Sequence, residues 1–314
     1  MNKNYKHMPV KQRADQLLIK YPDFDSAFKK AKIFIIGHQG LCAPGYFQLV
    51  GDSRVGKTRL LKALETAVIE FEEFKSPENN QKNSHPPRVI YSRAEAGEKT
   101  KALVHRILLD LQDVVGNGSV NAGVTSKISR QPFAYLARLL RQRFEYFNVK
   151  VLIIDEIHNL LDSSGQKATS QTIATFKQFL DDVGIPVIVA GTQASYSLTE
   201  TSPELKGRRR GFHELTGLGE HYETRLTSMR NALGLIEKHL PEFNTSVFRN
   251  PDVLAEIEEV VQHRLGMFVE VIYNAALLSE PFDQVIDPHL LDTALDNYRD
   301  SHVRRFRQSN HRAA

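Results

Sequence analysis

The sequence has no tryptophan, one cysteine and no apolar run near the roughly 20 residues that a membrane-spanning helix needs. The single cysteine, Cys42, cannot form an internal disulfide, and no cluster of metal-ligating residues surrounds it. The basic N-terminal residues are not followed by an apolar stretch, so they do not resemble a signal peptide. These absences argue against a disulfide scaffold and a helical membrane protein. We expect a cytoplasmic location and no membrane partner.

Charge of neither sign dominates, because 41 Lys and Arg residues are balanced by 37 Asp and Glu residues for a net charge of +4. Such a balance permits binding to nucleic acid without requiring it, and local clusters of cations decide the matter. The last 14 residues carry four arginines and no acid. This basic C-terminal tail is either a solubilising end or a segment that binds DNA or a partner.

Short apolar runs alternate with helical patterns between residues 46 and 217. This alternation predicts an α/β domain with a parallel five-stranded sheet covered by helices on both faces. Beyond Gly219 only helical patterns remain, which predicts a smaller helical domain. We therefore expect an N-terminal helical segment over residues 1–44 that packs on the core, an α/β nucleotide-binding domain over 45–218 and a helical domain over 219–314. The predicted strands are Tyr46–Val50, Val89–Tyr91, Val151–Ile154, Val187–Ala190 and Phe212–Leu215.

A phosphate-binding loop follows the first predicted strand and opens a helix. Gly51–Thr58 matches the Walker A pattern G-x-x-x-x-G-K-[ST]. The glycines let successive backbone N–H groups point into one concavity, and the helix N-terminus adds its positive end. Lys57 supplies a charge for the β- and γ-phosphates, and the Thr58 hydroxyl is a magnesium ligand. The residues predicted to bind ATP here are Gly51, Asp52, Ser53, Arg54, Val55, Gly56, Lys57, Thr58 and Arg59.

Two adjacent carboxylates end the apolar run Val151–Ile154. Ionised groups at the end of a buried strand need a partner, and Mg²⁺ on the nucleotide is that partner for Asp155. Glu156 then orients and polarises the attacking water, as a Walker B glutamate does. The alternative, a strand followed by solvated acids, does not explain why the pair follows a Walker A loop.

Two further groups extend the predicted site. Thr192, which follows the fourth predicted strand, is the candidate sensor of the γ-phosphate, with Gln193 second; a threonine here is also an ordinary turn residue. The cluster Lys206–Arg210 offers guanidinium groups that stabilise phosphoryl charge from a neighbouring subunit, with Arg208 ahead of Arg209. A solvated basic loop or a DNA phosphate contact is the alternative reading of the cluster.

In this order the motifs resemble those of an AAA+ ATPase. The resemblance is closer still to the TniB/TnsC group, the ATP-dependent regulators of Tn7-like and related transposons. It extends loosely from about residue 9 to residue 280. The segments that carry it are Arg13–Ala31, the Walker A loop with its Lys-Thr-Arg-Leu continuation, Val151–Leu160, Pro186–Gln193, Glu204–Leu218 and Leu240–Pro241.

The resemblance implies a homo-oligomer, a ring or filament, that forms on double-stranded DNA in the ATP state. Such assemblies link a target selector of the TniQ type, with or without a CRISPR effector, to the transposase, and hydrolysis disassembles them. DNA contacts of relatives fall in a region where cations and hydroxyls suit backbone contacts that ignore sequence. A solvated helix face is an equally good reading of these residues. Carried onto this sequence, they are Lys99, Thr100, Lys101, Lys127 and Arg130.

One departure from the AAA+ pattern affects the expected rate. Many relatives offer an arginine to the γ-phosphate from a Gly-x-x-Arg turn, whereas Gly266–Glu270 has none. We therefore expect Mg-dependent hydrolysis that is slow and governed by neighbouring subunits. Three alternatives remain open: a helicase-loader-like ATPase with other partners, a scaffold that binds ATP but scarcely hydrolyses it, and a P-loop enzyme that acts on a small molecule.

Overall fold

The computed structural model describes residues 9–38, 45–75, 86–113, 131–160, 166–200 and 202–310. By its contacts the chain divides into two units, which we name by their content. The α/β unit contains the described parts of residues 25–52 and 57–215, and the helical unit those of residues 1–24, 53–56 and 216–314. The strands are β1 Tyr46–Val50, β2 Arg88–Arg93, β3 Val149–Asp155, β4 Val187–Gly191 and β5 Arg209–Glu214. The α-helices are α1 Val10–Gln16, α2 Pro22–His38, α3 Lys57–Lys75, α4 Thr100–Asp113, α5 Phe133–Tyr146, α6 Gln166–Val183, α7 Ser197–Glu200, α8 Pro203–Arg208, α9 Tyr222–His239, α10 Pro251–Val261, α11 Leu265–Ser279 and α12 Pro288–Asn310.

The predicted five-stranded parallel sheet is confirmed, with the strand order β2-β3-β4-β1-β5. Every residue of β1 and β4 is buried, and all but one residue of β3 are. This burial explains why these strands are apolar without alternation, since both faces of a central parallel strand are covered. The carboxyl ends of parallel strands meet at one edge, so the residues after β1, β3 and β4 are neighbours there.

Amphipathic helices of the α/β unit supply the cover for the sheet. In α4, Leu103, Ile107 and Leu111 recur every four residues and are fully buried. Helix α5 repeats this pattern with Leu136, Leu140 and Phe144. These side chains join the strand residues in one apolar cluster, so the helical spacing read in the sequence is the core-facing stripe.

The predicted N-terminal segment 1–44 is divided rather than continuous, which corrects the prediction. Its part up to Phe24 belongs to the helical unit, where the buried Arg13 pairs with Glu242 and donates to the His239 carbonyl. Asp23 also accepts from the Thr216 backbone N–H at 2.7 Å. A buried guanidinium needs such partners, and in this sequence they come from beyond residue 216.

The C-terminal part of the helical unit begins at Thr216 and contains α9 to α12. Gly217 has φ +68°, and a Cβ there would lie 2.2 Å from the His263 carbonyl oxygen, so only glycine fits this turn. The apolar side chains of α11 are mostly buried, which makes it the central helix of the unit. Helix α12 runs through Asn310, but the side chains of the predicted basic tail lie outside the described residues.

Candidate nucleotide site

The Walker A loop runs from the end of β1 to the start of α3, in the context that the sequence predicts. Its backbone turns sharply, because Arg54 has φ +67° and Gly56 has φ +112°. Glycine adopts such a conformation at little cost, whereas an arginine there is uncommon and is a mark of functional loops. The loop therefore has the local geometry of an anion-binding concavity.

Lys57 lies within the α/β unit with only 5% of its surface exposed. Its ammonium donates to the carbonyl oxygens of Gly51 at 2.7 Å and Asp52 at 2.8 Å. Burial lowers the pKa of Lys57 from its ordinary value, while the negative charges of Glu156, Asp155 and Asp52 oppose that shift. An ammonium with three donors, two of them bound to the loop itself, is well placed to donate to a phosphate oxygen.

Asp155, at the end of β3, is 2% exposed, and both of its carboxylate oxygens accept hydrogen bonds. Its Oδ2 accepts from the Thr58 hydroxyl at 2.9 Å and from the Tyr91 hydroxyl at 2.6 Å. Its Oδ1 accepts from the Glu156 backbone N–H at 2.9 Å. Burial and then this bond to Asp155 raise the pKa of Tyr91, so Tyr91 remains a donor. The predicted pair of magnesium ligands, Thr58 and Asp155, is therefore already side by side.

The donor set fits Mg²⁺. A hydroxyl and a carboxylate in direct contact are hard oxygen ligands, and Mg²⁺ in nucleotide sites takes one or two such ligands together with phosphates. The contact joins Thr58, at the start of α3, to Asp155, at the end of β3. The two positions are 97 residues apart, so the sheet, not local sequence, brings them together.

Glu156 is the residue at which the chain leaves β3, and its φ of +57° is left-handed. The turn is fixed by the Asn159 backbone N–H, which donates to the Glu156 carbonyl at 2.9 Å. The Glu156 carboxylate lies 3.3 Å from His158 Nε2 and 4.0 Å from Arg93 Nη2. Such strain in a non-glycine residue clusters at functional sites, where surrounding bonds determine the conformation.

The two sensor candidates behave differently at the end of β4. The Thr192 backbone N–H donates to His158 Nδ1 at 3.4 Å, which ties Thr192 to the turn after β3. Gln193 instead donates to Glu214 at 2.7 Å, at the end of β5. Of the two, Thr192 is therefore the one linked to the carboxylates of β3.

The arginine cluster lies at the start of β5. Arg208 forms a two-pronged pair with Asp181, at 2.6 Å from Nε and 2.8 Å from Nη2. Arg209 donates to Gln48 at 3.3 Å and lies over the ring of Phe212 at 4.9 Å. Both predicted arginines are thus partly buried and bound within their own chain.

The predicted DNA contacts divide three ways. Lys99 is exposed and Lys101 is half-buried, next to the start of α4. Thr100 is a wrong prediction, because its side chain is 2% exposed and cannot present its hydroxyl to DNA. Lys127 and Arg130 lie outside the described residues.

The helical unit includes the middle of the Walker A loop, residues 53–56. Arg54 donates to Glu270 at 2.6 Å and lies over the ring of Tyr298, while its carbonyl accepts from the Gly266 N–H at 2.7 Å. Glu270 lies in α11, within the segment Gly266–Glu270 that contains no arginine. The acid there is paired with an arginine of the loop itself.

Sequence reasoning missed Tyr91, Arg93 and His158 as site residues. The position of each of these three residues in the sequence offered a signal. Tyr91 and Arg93 lie near the carboxyl end of β2, which pairs with β3 in the sheet. His158 follows Glu156 by two residues, and the sharp turn at Glu156 brings its ring back to the carboxylate.

Comparison with known proteins decides the family. The family model described as Bacterial TniB protein matches residues 18–215, which is more than half of the chain. The chain belongs to the TniB family. No match was found among curated protein sequences.

Solved structures with a similar fold include a replication initiation protein of Thermotoga maritima and two proteins of Aeropyrum pernix. Domain III of the Thermotoga maritima replication initiation protein DnaA is 17% identical, with a TM-score of 0.51, over 91% of this chain and 95% of that one. The Aeropyrum pernix ORC2 protein in its ADP form is 13% identical, with a TM-score of 0.59, over 91% of this chain and 72% of that one. The Aeropyrum pernix ORC1 protein in complex with DNA is 12% identical, with a TM-score of 0.57, over 88% and 66% of the two chains.

This TniB-family chain therefore has the fold of AAA+ P-loop ATPases: a parallel sheet followed by a helical region. At these identities the structural likeness carries the fold alone. Among the described residues, no helix combines the length and the apolar character needed to cross a membrane.

Proposed function

We propose that this protein is a Mg-dependent ATPase that assembles on double-stranded DNA and regulates transposition. Its assembly links a TniQ-type target selector, alone or with a CRISPR effector, to the transposase, and hydrolysis controls disassembly. The observation that carries the proposal is the contact of Thr58 with Asp155, beside Lys57 and Glu156, in a chain of the TniB family. We place the protein in the cytoplasm, where its DNA and partners are.

The residues of the Walker A loop and those at the ends of β3 and β4 divide the work of hydrolysis. Backbone N–H groups of the Walker A loop and the Lys57 ammonium hold the phosphates of ATP. Thr58 and Asp155 would hold Mg²⁺, which neutralises charge on the phosphates when bound. Glu156, whose backbone is left-handed at the end of β3, orients the attacking water. Thr192 lies within reach of this group through His158 and serves as the γ-phosphate sensor.

Arginine supplied by a neighbouring subunit completes the site. Arg208, the last residue of α8, is the first candidate, and Arg209, the first residue of β5, is the second. For Arg208 this role requires exchange of its two bonds to Asp181 for bonds to a phosphate. A planar guanidinium suits either partner, because both present two oxygens. Hydrolysis would then depend on assembly.

The proposed DNA contacts lie near the start of α4. Lys99 and Lys101 offer contacts to the phosphate backbone, which carry no sequence preference. The Aeropyrum pernix ORC1 structure contains DNA with a protein of this fold. Together with the TniB family, this supports a DNA-bound homo-oligomer with a transposase and a TniQ-type protein as partners.

The experiment that tests the proposal measures ATP turnover and DNA affinity with the same purified protein. ATP hydrolysis should require Mg²⁺ and rise when random-sequence duplex DNA is added. Fluorescence anisotropy with labelled duplex should give tighter binding with a slowly hydrolysed ATP analogue than with ADP. DNA affinity that is equal with both nucleotides would contradict the proposal.

One observation favours a second candidate, a scaffold that binds ATP and polymerises but scarcely hydrolyses it. The segment Gly266–Glu270, in α11, lacks the arginine that the AAA+ resemblance implies, and its Glu270 pairs with Arg54. Turnover that stays at background under saturating DNA, with ATP-dependent assembly intact, would select the scaffold. A helicase loader would show the same chemistry with different partners, and stimulation by a small hydroxyl acceptor would indicate a small-molecule enzyme.

A further inference from the structure

His158 connects the ends of two strands in the α/β unit. It lies in the single 3₁₀ turn Ile157–Leu160 that follows β3, and 16% of its side chain is exposed. One ring nitrogen, Nε2, is 3.3 Å from the Glu156 carboxylate. The other, Nδ1, is 3.4 Å from the backbone nitrogen of Thr192, after β4. The imidazole therefore spans the gap between the carboxylate and the strand that carries the sensor candidate.

The two contacts fix which nitrogen carries the hydrogen. The Thr192 backbone N–H can only donate, so Nδ1 must accept and must lack a hydrogen. In that tautomer Nε2 carries the hydrogen and donates to Glu156. Each ring nitrogen therefore has its own hydrogen-bond partner: Nε2 contacts Glu156, after β3, and Nδ1 contacts Thr192, after β4.

Different groups hold the backbone and the carboxylate of Glu156, so the backbone contacts alone do not orient the carboxylate. The backbone is fixed by its own N–H bond to Asp155 and by the Asn159 N–H. The side chain is contacted by Arg93 at 4.0 Å and by His158 at 3.3 Å. Arg93 is 71% exposed, so solvent competes strongly for it, whereas His158 is largely covered.

We infer that His158 is a positioning residue for ATP hydrolysis: it orients the Glu156 carboxylate and links that orientation to the end of β4 at Thr192. The inference rests on the proposed ATPase function. His158 touches neither nucleotide nor water in this role, since it acts through Glu156. A conformational change at the end of β4 is therefore transmitted to the Glu156 carboxylate through the His158 ring.

Three substitutions separate the two bonds of the ring. His158→Phe keeps the ring shape and removes both bonds. His158→Gln retains a terminal N–H at about the reach of Nε2, so it can still donate to Glu156. His158→Asn retains an acceptor near the place of Nδ1, so it can still accept from Thr192. His289→Phe, at an exposed histidine in the helical unit, is the matched control.

The expected result is a loss of kcat without a loss of ATP binding. With DNA present, His158→Phe should lower kcat about 10- to 100-fold, because small misplacements of a catalytic group have effects of this size. KM for ATP and the thermal midpoint should stay near those of the His289→Phe control. His158→Gln should recover most of kcat, and His158→Asn little. In single-turnover assays, His158→Phe added to Glu156→Gln should cause no further loss.

Unchanged kcat in His158→Phe would overturn the inference, as would equal recovery by Gln and Asn. A full additional loss in the Glu156→Gln background would also overturn it, because His158 would then not act through Glu156. A parallel rise in KM with a lowered thermal midpoint would indicate a structural role instead. If the parent protein itself shows no hydrolysis, the proposed function fails, and that outcome is distinct from a parent that hydrolyses ATP and a His158→Phe variant that matches it.

Discussion

The carboxyl ends of β1, β3 and β4 differ sharply from the start of β5. At the first region, side chains from separate strands already contact one another: Thr58 meets Asp155, and His158 joins Glu156 to Thr192. At the second, Arg208 donates two hydrogen bonds to Asp181, a residue of its own chain. One region is assembled by folding. In the proposed mechanism, the other region acts only when a second chain supplies the phosphate.

This difference shows which part of the site a single chain can assemble by folding. Parallel strands place their ends in a row, so residues from distant parts of the sequence meet without any partner. The pair of Arg208 with Asp181 has the same fork geometry that a phosphate would offer, and it keeps the arginine ordered until then. The comparison predicts separate effects on binding, on turnover within assemblies and on stability.

Lys57→Ala should have the broadest effect, because it removes ATP binding, on which both assembly and turnover depend. Loss of a charge-assisted bond to phosphate costs about 2–3 kcal/mol, which lowers ATP affinity roughly 100-fold. ATP-dependent assembly on DNA should disappear as well. Titration with a fluorescent ATP analogue measures the effect. Lys62→Ala, an exposed lysine in the same helix, is the control and should bind like the parent.

Arg208→Ala tests the other side of the comparison. Monomeric protein should bind ATP as the parent does, while turnover in DNA-bound assemblies should fall about 1000-fold, the size of an arginine finger's contribution. Asp181→Ala removes the partner within the chain and should leave turnover in place. If both variants lose turnover equally, the ion pair rather than a trans contact is what matters. If Arg209→Ala alone loses it, the finger is Arg209.

Glu156→Gln should lower hydrolysis about 100-fold or more, because a positioned base contributes at least that much. ATP affinity and assembly should be preserved, since the amide keeps the shape of the side chain. A radiolabelled ATP assay with matched nucleotide titrations separates the two effects. Glu70→Gln, at an exposed acid in α3, is the control. Equal rates in Glu156→Gln and the parent would remove Glu156 from the mechanism.

Glu270→Gln should have the smallest effect. Arg54 and Glu270 are each about half exposed, at 46% and 48% of their side chains, and exposed pairs contribute about 0–1 kcal/mol. Chemical unfolding should therefore show little change in stability. A loss of ATP affinity comparable with that of Lys57→Ala would contradict this and would make the pair part of nucleotide binding.

The sequence predicts the sheet and the two halves of the site because each depends on local pattern. Apolar runs identify the central strands, and the Walker A loop identifies its own turn. The polar groups that complete the site are harder to predict. Tyr91 becomes a partner of Asp155 only because β2 pairs with β3, and His158 reaches Glu156 only because Glu156 takes a left-handed turn.

The errors have equally specific causes. Thr100 looked like a surface hydroxyl between two lysines, but it begins α4 and faces inward. The N-terminal segment looked like one piece, yet Arg13 finds its acid at Glu242, 229 residues away. Contacts at that distance depend on tertiary packing and leave no local pattern to read. Helical periodicity predicts the helices of this segment, but it does not show to which of the two units each helix belongs.

The most direct test of nucleotide-gated assembly images the parent and Glu156→Gln on random-sequence duplex DNA by negative-stain electron microscopy over time. With ATP, both should form rings or filaments, and those of the parent should disappear as ATP is consumed while those of Glu156→Gln persist. With ADP, neither should assemble. Assemblies of equal lifetime in the two proteins, or assembly that ignores the nucleotide, would contradict the account.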